Sequence, residues 1–458
     1  MSTLDLTAHP TFKRLLRSRW PQLILQLIAL AGFLVALLAS WLGTPVGNHN
    51  FAIVVVWIAW WALLMLLLVP ALGRGWCSVC PLPLAGEWLQ RGSLLGPRLD
   101  VSGRPRPPLG LGRRWPARLR NIWLQNGTFL LLALFSAVVL TQPNATGLVL
   151  TVIILVAVIV SLVFERRAFC RYLCPVGGFI GLYAQAAPLE VRVTDPAICT
   201  AHTDKSCYVG SAEGYGCPWD LFPGSLTKNT YCGTCMECLR TCPYDNVAVR
   251  LRAPGSDLLN PSGRRLDEAY KAFIMLGGAI AYSAVMLGPW GGLKTAAFEI
   301  GSLPWLAYAG GLLAFVLLVL PGSFLLAVVL GRRLARPAPP LMKTFVSLAY
   351  AFVPLGLAAW IAFSLSFVLT NLSYLWPVVS DPMGWGWNLL GTAALNWHPY
   401  LTSFVPPLQA LVLAGGLGWT AVTARRIAEQ LGGGLRLAWP TLLVALASTV
   451  GILWLLLG

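Results

Sequence analysis

The chain has 458 residues, of which 57% are hydrophobic and only 11% are charged. A soluble globular domain carries about 25% charged residues, so this composition excludes an ordinary soluble enzyme, a disordered protein and a small disulfide-rich secreted domain. The formal charge of +16 would suit nucleic-acid binding in a soluble protein. Here the Lys and Arg residues stand at the ends of apolar stretches, as the positive-inside rule expects of a membrane protein. We therefore expect contact with lipid and no nucleic-acid partner.

Apolar stretches long enough to cross a bilayer recur along the chain. We predict an all-α polytopic membrane protein with about nine transmembrane helices, whose ends carry an uncertainty of several residues. The predicted spans are 21–43, 51–72, 121–141, 147–165, 271–289, 304–331, 343–376, 402–424 and 438–457.

The basic residues predict the orientation of these spans. If the N-terminus is cytoplasmic, 32 of the 33 Lys and Arg residues fall on the cytoplasmic side and only Lys294 lies outside. Such a partition follows the positive-inside rule. We expect a multi-pass protein of a bacterial-type inner (cytoplasmic) membrane, with its C-terminus outside and all 11 cysteines facing the cytoplasm.

The spans and the cysteines divide the chain into three predicted domains. Residues 1–188 would form a four-helix membrane region, and residues 269–458 a five-helix membrane region without cysteine. Between them, residues 189–268 hold seven cysteines and 10 of the 17 acidic residues. We expect this segment to be a cytoplasmic domain. It is too small for a large core, so a bound metal would be needed to stabilise it.

An internal repeat marks the first four spans. Cys77 and Cys80 follow the second span, and Cys170 and Cys174 follow the fourth. Each pair begins three residues after an Arg and ends in Cys-Pro followed by an aliphatic residue. Two copies of one hairpin would place both pairs at the same depth. Four thiols there could hold a third cluster or another soft metal, act as redox dithiols, or cap helices as structural Cys-Pro turns.

The strongest motif lies in the cytoplasmic segment. The run Cys232-Gly-Thr-Cys235-Met-Glu-Cys238-Leu-Arg-Thr-Cys242-Pro243 matches the spacing C-x2-C-x2-C-x3-C-P of iron–sulfur proteins. Zinc sites usually pair two separated C-x2-C hooks or include histidine, and a disulfide is disfavoured in a reducing cytoplasm. We therefore predict a small ferredoxin-like α+β iron–sulfur domain.

Three more cysteines precede this run and suggest a second cluster. In two-cluster ferredoxins the cysteine before the proline reaches the other cluster. By that logic the first 4Fe-4S cluster is held by Cys217, Cys232, Cys235 and Cys238. The second is held by Cys199, Cys207 and Cys242. This second cluster lacks a fourth thiolate, and the alternatives are His202, Asp204, a cysteine from the membrane-end pairs, or a three-iron cluster.

Over about residues 30–265 the pattern resembles the membrane-bound polyferredoxins of the NapH/NosR type. The resemblance is carried by the two hairpins ending in Cys-Pro motifs, by Cys170-Arg-Tyr-Leu-Cys174-Pro-Val-Gly177, and by the ferredoxin-like segment that follows. It implies electron transfer between the quinol pool and a respiratory reductase or maturation system. The first cysteine pair is one residue shorter than the usual form, five further spans follow, and we expect no outer flavin-binding domain of the NosR kind.

We therefore expect a membrane-bound iron–sulfur protein that exchanges electrons between quinone and a respiratory reductase or ferredoxin-type partner. It would act as a quinol dehydrogenase or as the electron-transfer subunit of an oxidoreductase. The alternative is a redox maturation factor that reduces a metal such as copper for the assembly of a respiratory enzyme. A redox sensor or structural subunit would hold clusters that titrate without turnover. A transporter is not favoured, because the last five spans show no charged residue near mid-membrane.

Overall fold

The structure is a computed structural model that describes residues 3–101, 108–336 and 338–457. About 67% of the protein is helical, and within the described residues eight helices are long and apolar enough to cross a membrane. At 1.5 Å per residue, even the shortest ones, with 21 residues, reach about 31 Å, the thickness of the hydrocarbon layer. The eight helices are Trp20–Leu42, Ala52–Ser78, Pro143–Val163, Leu266–Met286, Leu303–Leu334, Leu341–Ser380, Val405–Gln430 and Gly434–Leu457. This confirms the predicted all-α polytopic membrane protein.

One of the nine predicted spans differs. Instead of one helix over 121–141, the chain forms a 12-residue helix, Trp123–Leu134, and a four-residue helix, Ser136–Val139. The break falls at Phe135 (φ −102°, ψ 4°), where the Ser136 hydroxyl donates to the carbonyl of Ala133 at 2.8 Å. Such side-chain bonds to the backbone compete with helical ones. Twelve residues reach only about 18 Å, so the nine spans become eight long helices and one shorter apolar helix.

The described chain forms two compact units whose segments alternate along the sequence. The first unit comprises Met1–Leu34, Leu67–Gln125 and Leu150–Asn260, and it contains all 11 cysteines. The second comprises Val35–Leu66, Asn126–Val149 and Pro261–Gly458. The three predicted domains and the orientation of the spans stay predictions. Two of the arginines counted as cytoplasmic, Arg104 and Arg106, lie outside the described residues.

A three-stranded antiparallel sheet lies in the first unit. Val247–Leu251 is its central strand and pairs with Leu189–Val193 on one side and Leu4–Asp5 on the other. The two longer strands enclose the cysteine-rich stretch, so the sheet closes both of its ends. The connecting helices are short: Pro196–Ala201, Ser206–Val209 and Glu237–Thr241. The apolar core of this region is formed by Val191, Leu239, Val247 and Val249, with Cys232, Cys238 and Cys242 packed against it.

The N-terminal residues contribute to the same sheet and contact the cysteine-rich segment. We interpreted their basic residues only as the cytoplasmic flank of the first span, but they follow the strand Leu4–Asp5 and form the helix Pro10–Arg17. Lys13 and Arg17 both pair with Asp245. Arg240 donates to the carbonyl of Arg17 at 2.9 Å. The N-terminal charge is thus used in contacts with the cysteine-rich segment.

The other helices of the first unit are short ones at the ends of its spans: Leu84–Arg91, Ala168–Tyr172 and Pro175–Tyr183. They carry or flank the two Cys-Pro motifs.

The second unit has an aromatic core. The rings of Phe273, Phe324, Phe345 and Phe352 pack with centroids 5.0 to 6.3 Å apart. Lys271 lies on the helix Leu266–Met286 and is fully buried, with its Nζ 4.5 Å from the ring centroid of Phe129. We placed this lysine at the cytoplasmic edge of a span, and its complete burial was not predicted.

Candidate iron–sulfur centres

The cysteines of the first unit lie in three groups. Group A consists of Cys217, Cys232, Cys235 and Cys238. Group B consists of Cys199, Cys207 and Cys242. The membrane-end group consists of Cys77, Cys80, Cys170 and Cys174. All 11 thiols are free. The cysteines of each predicted set lie in one region of the structure, and their division between clusters stays a prediction.

Group A surrounds a small cavity whose walls include all four of its cysteines, together with apolar side chains such as Trp219 and Val191. Burial raises the pKa of Cys235 to about 12, and the nearby Cys217 adds to this shift. Burial also raises the pKa of Cys238, with Cys232 and Cys235 adding to it. Since each thiolate disfavours the next, the four can ionise together only if a cation joins them. The chemistry of this donor set fits an iron–sulfur cluster.

The backbone of the loop 232–238 is shaped to hold such a group. Thr234 (φ 46°) and Met236 (φ 62°) both adopt positive φ, which is uncommon for residues other than glycine. Alternation of this kind turns successive N–H groups to one side and makes an anion-binding concavity, as in many iron–sulfur sites. Another member of group A, Cys217, accepts a hydrogen bond from the N–H of Leu221 at 3.4 Å.

Trp219 closes one side of the group A cavity by lying against Gly233. A Cβ atom at Gly233 would stand 2.1 Å from the indole Nε1 of Trp219, far inside van der Waals contact. Trp219 itself is 1% exposed. Glycine at this position is therefore a packing requirement for the closed cavity.

Group B is organised by Asn246, which hydrogen-bonds two of its three sulfurs. The backbone N–H of Asn246 donates to Cys242 Sγ, and its side-chain amide donates to Cys199 Sγ, both at 3.4 Å. Burial raises the pKa of Cys207 to about 11, and Cys242 and Cys199 add to the shift. Cys238 of group A and Cys242 of group B pack against the same apolar core, so groups A and B are neighbours.

The membrane-end group joins the two repeated hairpins. Cys77 is the penultimate residue of the span Ala52–Ser78, and Cys80 follows the span. Cys174 caps the helix Pro175–Tyr183, and its sulfur accepts a hydrogen bond from Gly177 N at 3.2 Å. Burial raises the pKa of Cys170, and Cys174, Cys80 and Cys77 all add to this shift. The four thiols are therefore close enough to act on one another.

Arg167 connects this group with group A. Its Nε donates to Glu87 Oε1 at 3.0 Å, its Nη2 bonds the other Glu87 oxygen, and both side chains are almost fully buried. Its Nη1 donates to the carbonyl of Cys77 at 2.5 Å. Burial alone would lower the pKa of Arg167, but Glu87 outweighs it and raises that pKa. The permanent cation acts electrostatically on both Cys170 and Cys235.

Arg74 occupies the equivalent position in the other repeat. It is 2% exposed, and it donates to the carbonyl of Thr230 at 2.7 Å and to that of Cys170 at 3.3 Å. Its guanidinium carbon lies 4.3 Å from the centroid of the Trp219 ring. The two arginines of the repeat thus lie beside the cysteines as buried cations, rather than serving only as anchors at the membrane surface.

The described residues contain no group of three or more His, Cys, Asp or Glu side chains close enough to hold a single metal ion. Cluster ligation does not require that closeness, because each thiolate of a 4Fe-4S cluster binds a different iron atom.

The sequence did not predict the roles of Glu87, Trp219 and Asn246. The sequence gives only a weak indication for Glu87, which is an isolated acidic residue in an arginine-rich segment. Trp219 and Asn246 had none beyond their nearness in sequence to Cys217 and Cys242.

The family of 4Fe-4S binding domains matches residues 53–102 and 146–189. Each matched segment contains one cysteine pair of the membrane-end group. The chain is 27% identical over 110 residues to YccM of Escherichia coli (strain K12), which is named as an electron transport protein, and this covers 23% of the chain and 28% of YccM. It is 26% identical over 202 residues to MauN of Paracoccus denitrificans, a methylamine utilization ferredoxin-type protein, covering 41% of the chain and 54% of MauN.

The chain therefore spans about half the length, or less, of these relatives. No solved structure matches it. Over these segments the chain is therefore similar to 4Fe-4S binding domains and to ferredoxin-type proteins, and its eight long apolar helices fit a multi-pass membrane protein.

Proposed function

We propose that this protein binds three 4Fe-4S clusters, at group A, group B and the membrane-end group, and transfers electrons between the quinone pool and a respiratory reductase or ferredoxin-type partner. The observation that carries the proposal is the arrangement of group A. Four thiols line one cavity, and the N–H of Leu221 donates to the sulfur of Cys217. Arg74 links this group to the membrane-end group by donating to the carbonyls of Thr230 and Cys170.

Clusters of this type, when bound, accept and release one electron at a time. The protein residues supply the setting. Trp219 and the core beneath the sheet keep water away from group A. The N–H groups of Leu221 and Asn246 stabilise charge on the sulfurs they contact, those of Cys217 and Cys242. Hydrogen bonds to sulfur and burial are the means by which a protein sets the reduction potential of a cluster.

The order of the three groups supports a path. Arg167 acts on both the membrane-end group and group A, and Cys207 of group B acts on Cys238 of group A. We therefore place group A between the other two in the proposed path. In the proposed direction, electrons enter at the membrane-end group and leave from group B.

Quinol is the proposed donor because the membrane-end group lies at the ends of apolar spans, within reach of a lipid-soluble molecule. Oxidation of one quinol releases two electrons and two protons. The electrons would pass singly into the membrane-end group, and the protons would be taken up by water at the membrane surface. The ferredoxin-type name of MauN agrees with a protein partner for the cytoplasmic domain.

Iron analysis of single-group variants tests the proposal. Each of Cys235→Ala, Cys207→Ala and Cys174→Ala should lower the iron content by up to about four atoms per chain and abolish quinol-dependent reduction of an artificial acceptor. The exposed His9 provides a control, His9→Ala, which should leave iron and activity unchanged. If Cys174→Ala keeps all its iron, the membrane-end cysteines are redox dithiols or structural. If Cys235→Ala keeps all its iron and activity, the proposal fails.

The maturation-factor alternative predicts a different turnover. Reduction of Cu²⁺ by the chemically reduced protein, with no quinol oxidation under any condition, would favour it over quinol-dependent electron transfer.

A further inference from the structure

Group B has only three cysteines, although a 4Fe-4S cluster has four irons to ligate. The other eight cysteines of the chain belong to group A and to the membrane-end group. The remaining ligand of group B must therefore be a residue other than cysteine, or else one iron is missing. The structure separates the two candidates that the sequence offered, His202 and Asp204.

His202 lies between the two segments that carry group B. It is the C-cap residue of the helix Pro196–Ala201, three residues after Cys199, with an extended backbone (φ −110°, ψ 150°). Its ring packs on that of Tyr244, two residues after Cys242, with the centroids 4.4 Å apart. Lys205 Nζ fixes the turn by donating to the carbonyls of Cys199 and His202, at 2.6 and 2.8 Å.

The imidazole has an unused nitrogen at this position. Nδ1 of His202 is closed off from solvent and has no hydrogen-bond partner among the described residues. A buried polar atom normally finds a partner, and the lone pair of a neutral imidazole is a good ligand for iron. The ring itself is half-buried.

Asp204 is already engaged. One of its carboxylate oxygens accepts hydrogen bonds from the N–H and the hydroxyl of Ser206, at 2.9 and 2.6 Å, and these contacts are exposed. The aspartate thus serves as the cap of a local turn, and only the histidine has a buried nitrogen to offer.

We propose that His202 is the fourth ligand of the group B cluster, through Nδ1. This inference rests on the proposed function, in which group B holds a cluster. Histidine in place of cysteine brings a neutral ligand instead of a negative one, and it raises the potential of iron–sulfur clusters that contain it. The cluster at group B would then have a higher reduction potential than the cluster at group A, as expected of the last cluster before the partner.

Pulsed EPR of the reduced protein tests the ligand directly. The expected result is a strong ¹⁴N coupling from a directly bound imidazole, which is lost in His202→Cys while the iron content stays complete. His202→Cys should also shift the potential of one cluster downward. His202→Ala should lose about one iron per chain and show the signal of a three-iron cluster when oxidised. Asp204→Asn and His9→Ala are matched controls that should change none of these readings.

The outcomes distinguish the two claims. If Cys207→Ala lowers the iron content but the His202 variants keep the wild-type spectrum and potential, the histidine assignment is overturned and the cluster proposal stands. If Cys207→Ala does not lower the iron content at all, group B holds no cluster and both claims fall.

Discussion

Glu87 is the residue whose replacement should most disturb the region between the cysteine groups. It receives both Nε and Nη2 of Arg167, and it also pairs with Arg91 at 2.5 Å. Glu87→Gln keeps the shape of the side chain and removes its charge. The variant leaves the guanidinium of Arg167, whose side chain is 3% exposed, as a buried cation without its counterion.

The variant should lose a large part of the free energy of unfolding. Removing one partner of a buried ion pair typically costs about 3–5 kcal/mol, which is roughly two to four powers of ten in the unfolding equilibrium. The pKa of Glu87 is lowered, because Arg167 and Arg91 outweigh the opposing effect of burial. A lowered carboxyl pKa means that the stabilisation is complete above the ordinary value of 4.5 and is lost as the pH falls through the lowered value. The difference between wild type and variant should therefore be the same at pH 6 and pH 8.

Thermal unfolding of the purified protein in detergent measures this effect, and we expect a fall on the order of 10 °C. Glu165→Gln is the matched control. Glu165 pairs with Arg114 at 3.8 Å, and the Arg114 side chain is 84% exposed, so its loss should cost less than about 1 kcal/mol. If both variants unfold at the wild-type temperature, the buried pair does not hold this region together and our reasoning about Arg167 is wrong.

Three further predictions concern the cysteine groups. Gly233→Ala should displace Trp219, and the variant should lose up to about four irons per chain. Gly322→Ala is the control, because a Cβ atom at Gly322 meets no atom within 4 Å, and this variant should lose no iron. Equal iron content in the two variants would contradict the packing argument. Asn246→Ala removes the amide that donates to Cys199 Sγ and should lower the reduction potential of one cluster by about 40 mV, because a hydrogen bond of about 1 kcal/mol corresponds to that shift for one electron. Redox titration with EPR measures the potential, and an unchanged value would refute the prediction. Burial raises the pKa of Cys207 and Cys217 to about 11 and that of Cys235 to about 12, so the iron-free protein should lose stability as the pH rises through 9 and up to those values. The iron-loaded protein should not lose stability over this range. Chemical unfolding at pH 8, 9 and 10 measures the difference, and parallel curves for the two forms would argue against iron as the partner of these thiols.

The cysteine groups could be predicted because their spacing is local and chemically specific. In two-cluster ferredoxins four cysteines with this spacing divide between two clusters, and we predict the same division for the run from Cys232 to Cys242 on that ground. The two Cys-Pro pairs could be grouped because they end copies of one hairpin. These inferences needed no knowledge of how distant segments pack.

The features that could not be predicted from the sequence depend on contacts between residues far apart in the chain. The strand Leu4–Asp5 has only two residues, too few for any periodicity, and it exists because it pairs with Val247–Leu251. The pair of Arg167 with Glu87 joins residues 80 positions apart. The composition of the stretch 121–141 predicts one apolar span. The helix stops earlier, where the Ser136 hydroxyl bonds the carbonyl of Ala133. Composition and spacing carry no information about such contacts.

Iron and acid-labile sulfide per chain, measured on anaerobically purified protein, test the central claim most directly. Three 4Fe-4S clusters predict about twelve of each, and about eight in the Cys174→Ala variant. A preparation that contains neither iron nor sulfide, yet is folded, would contradict the claim that these buried cysteines hold clusters.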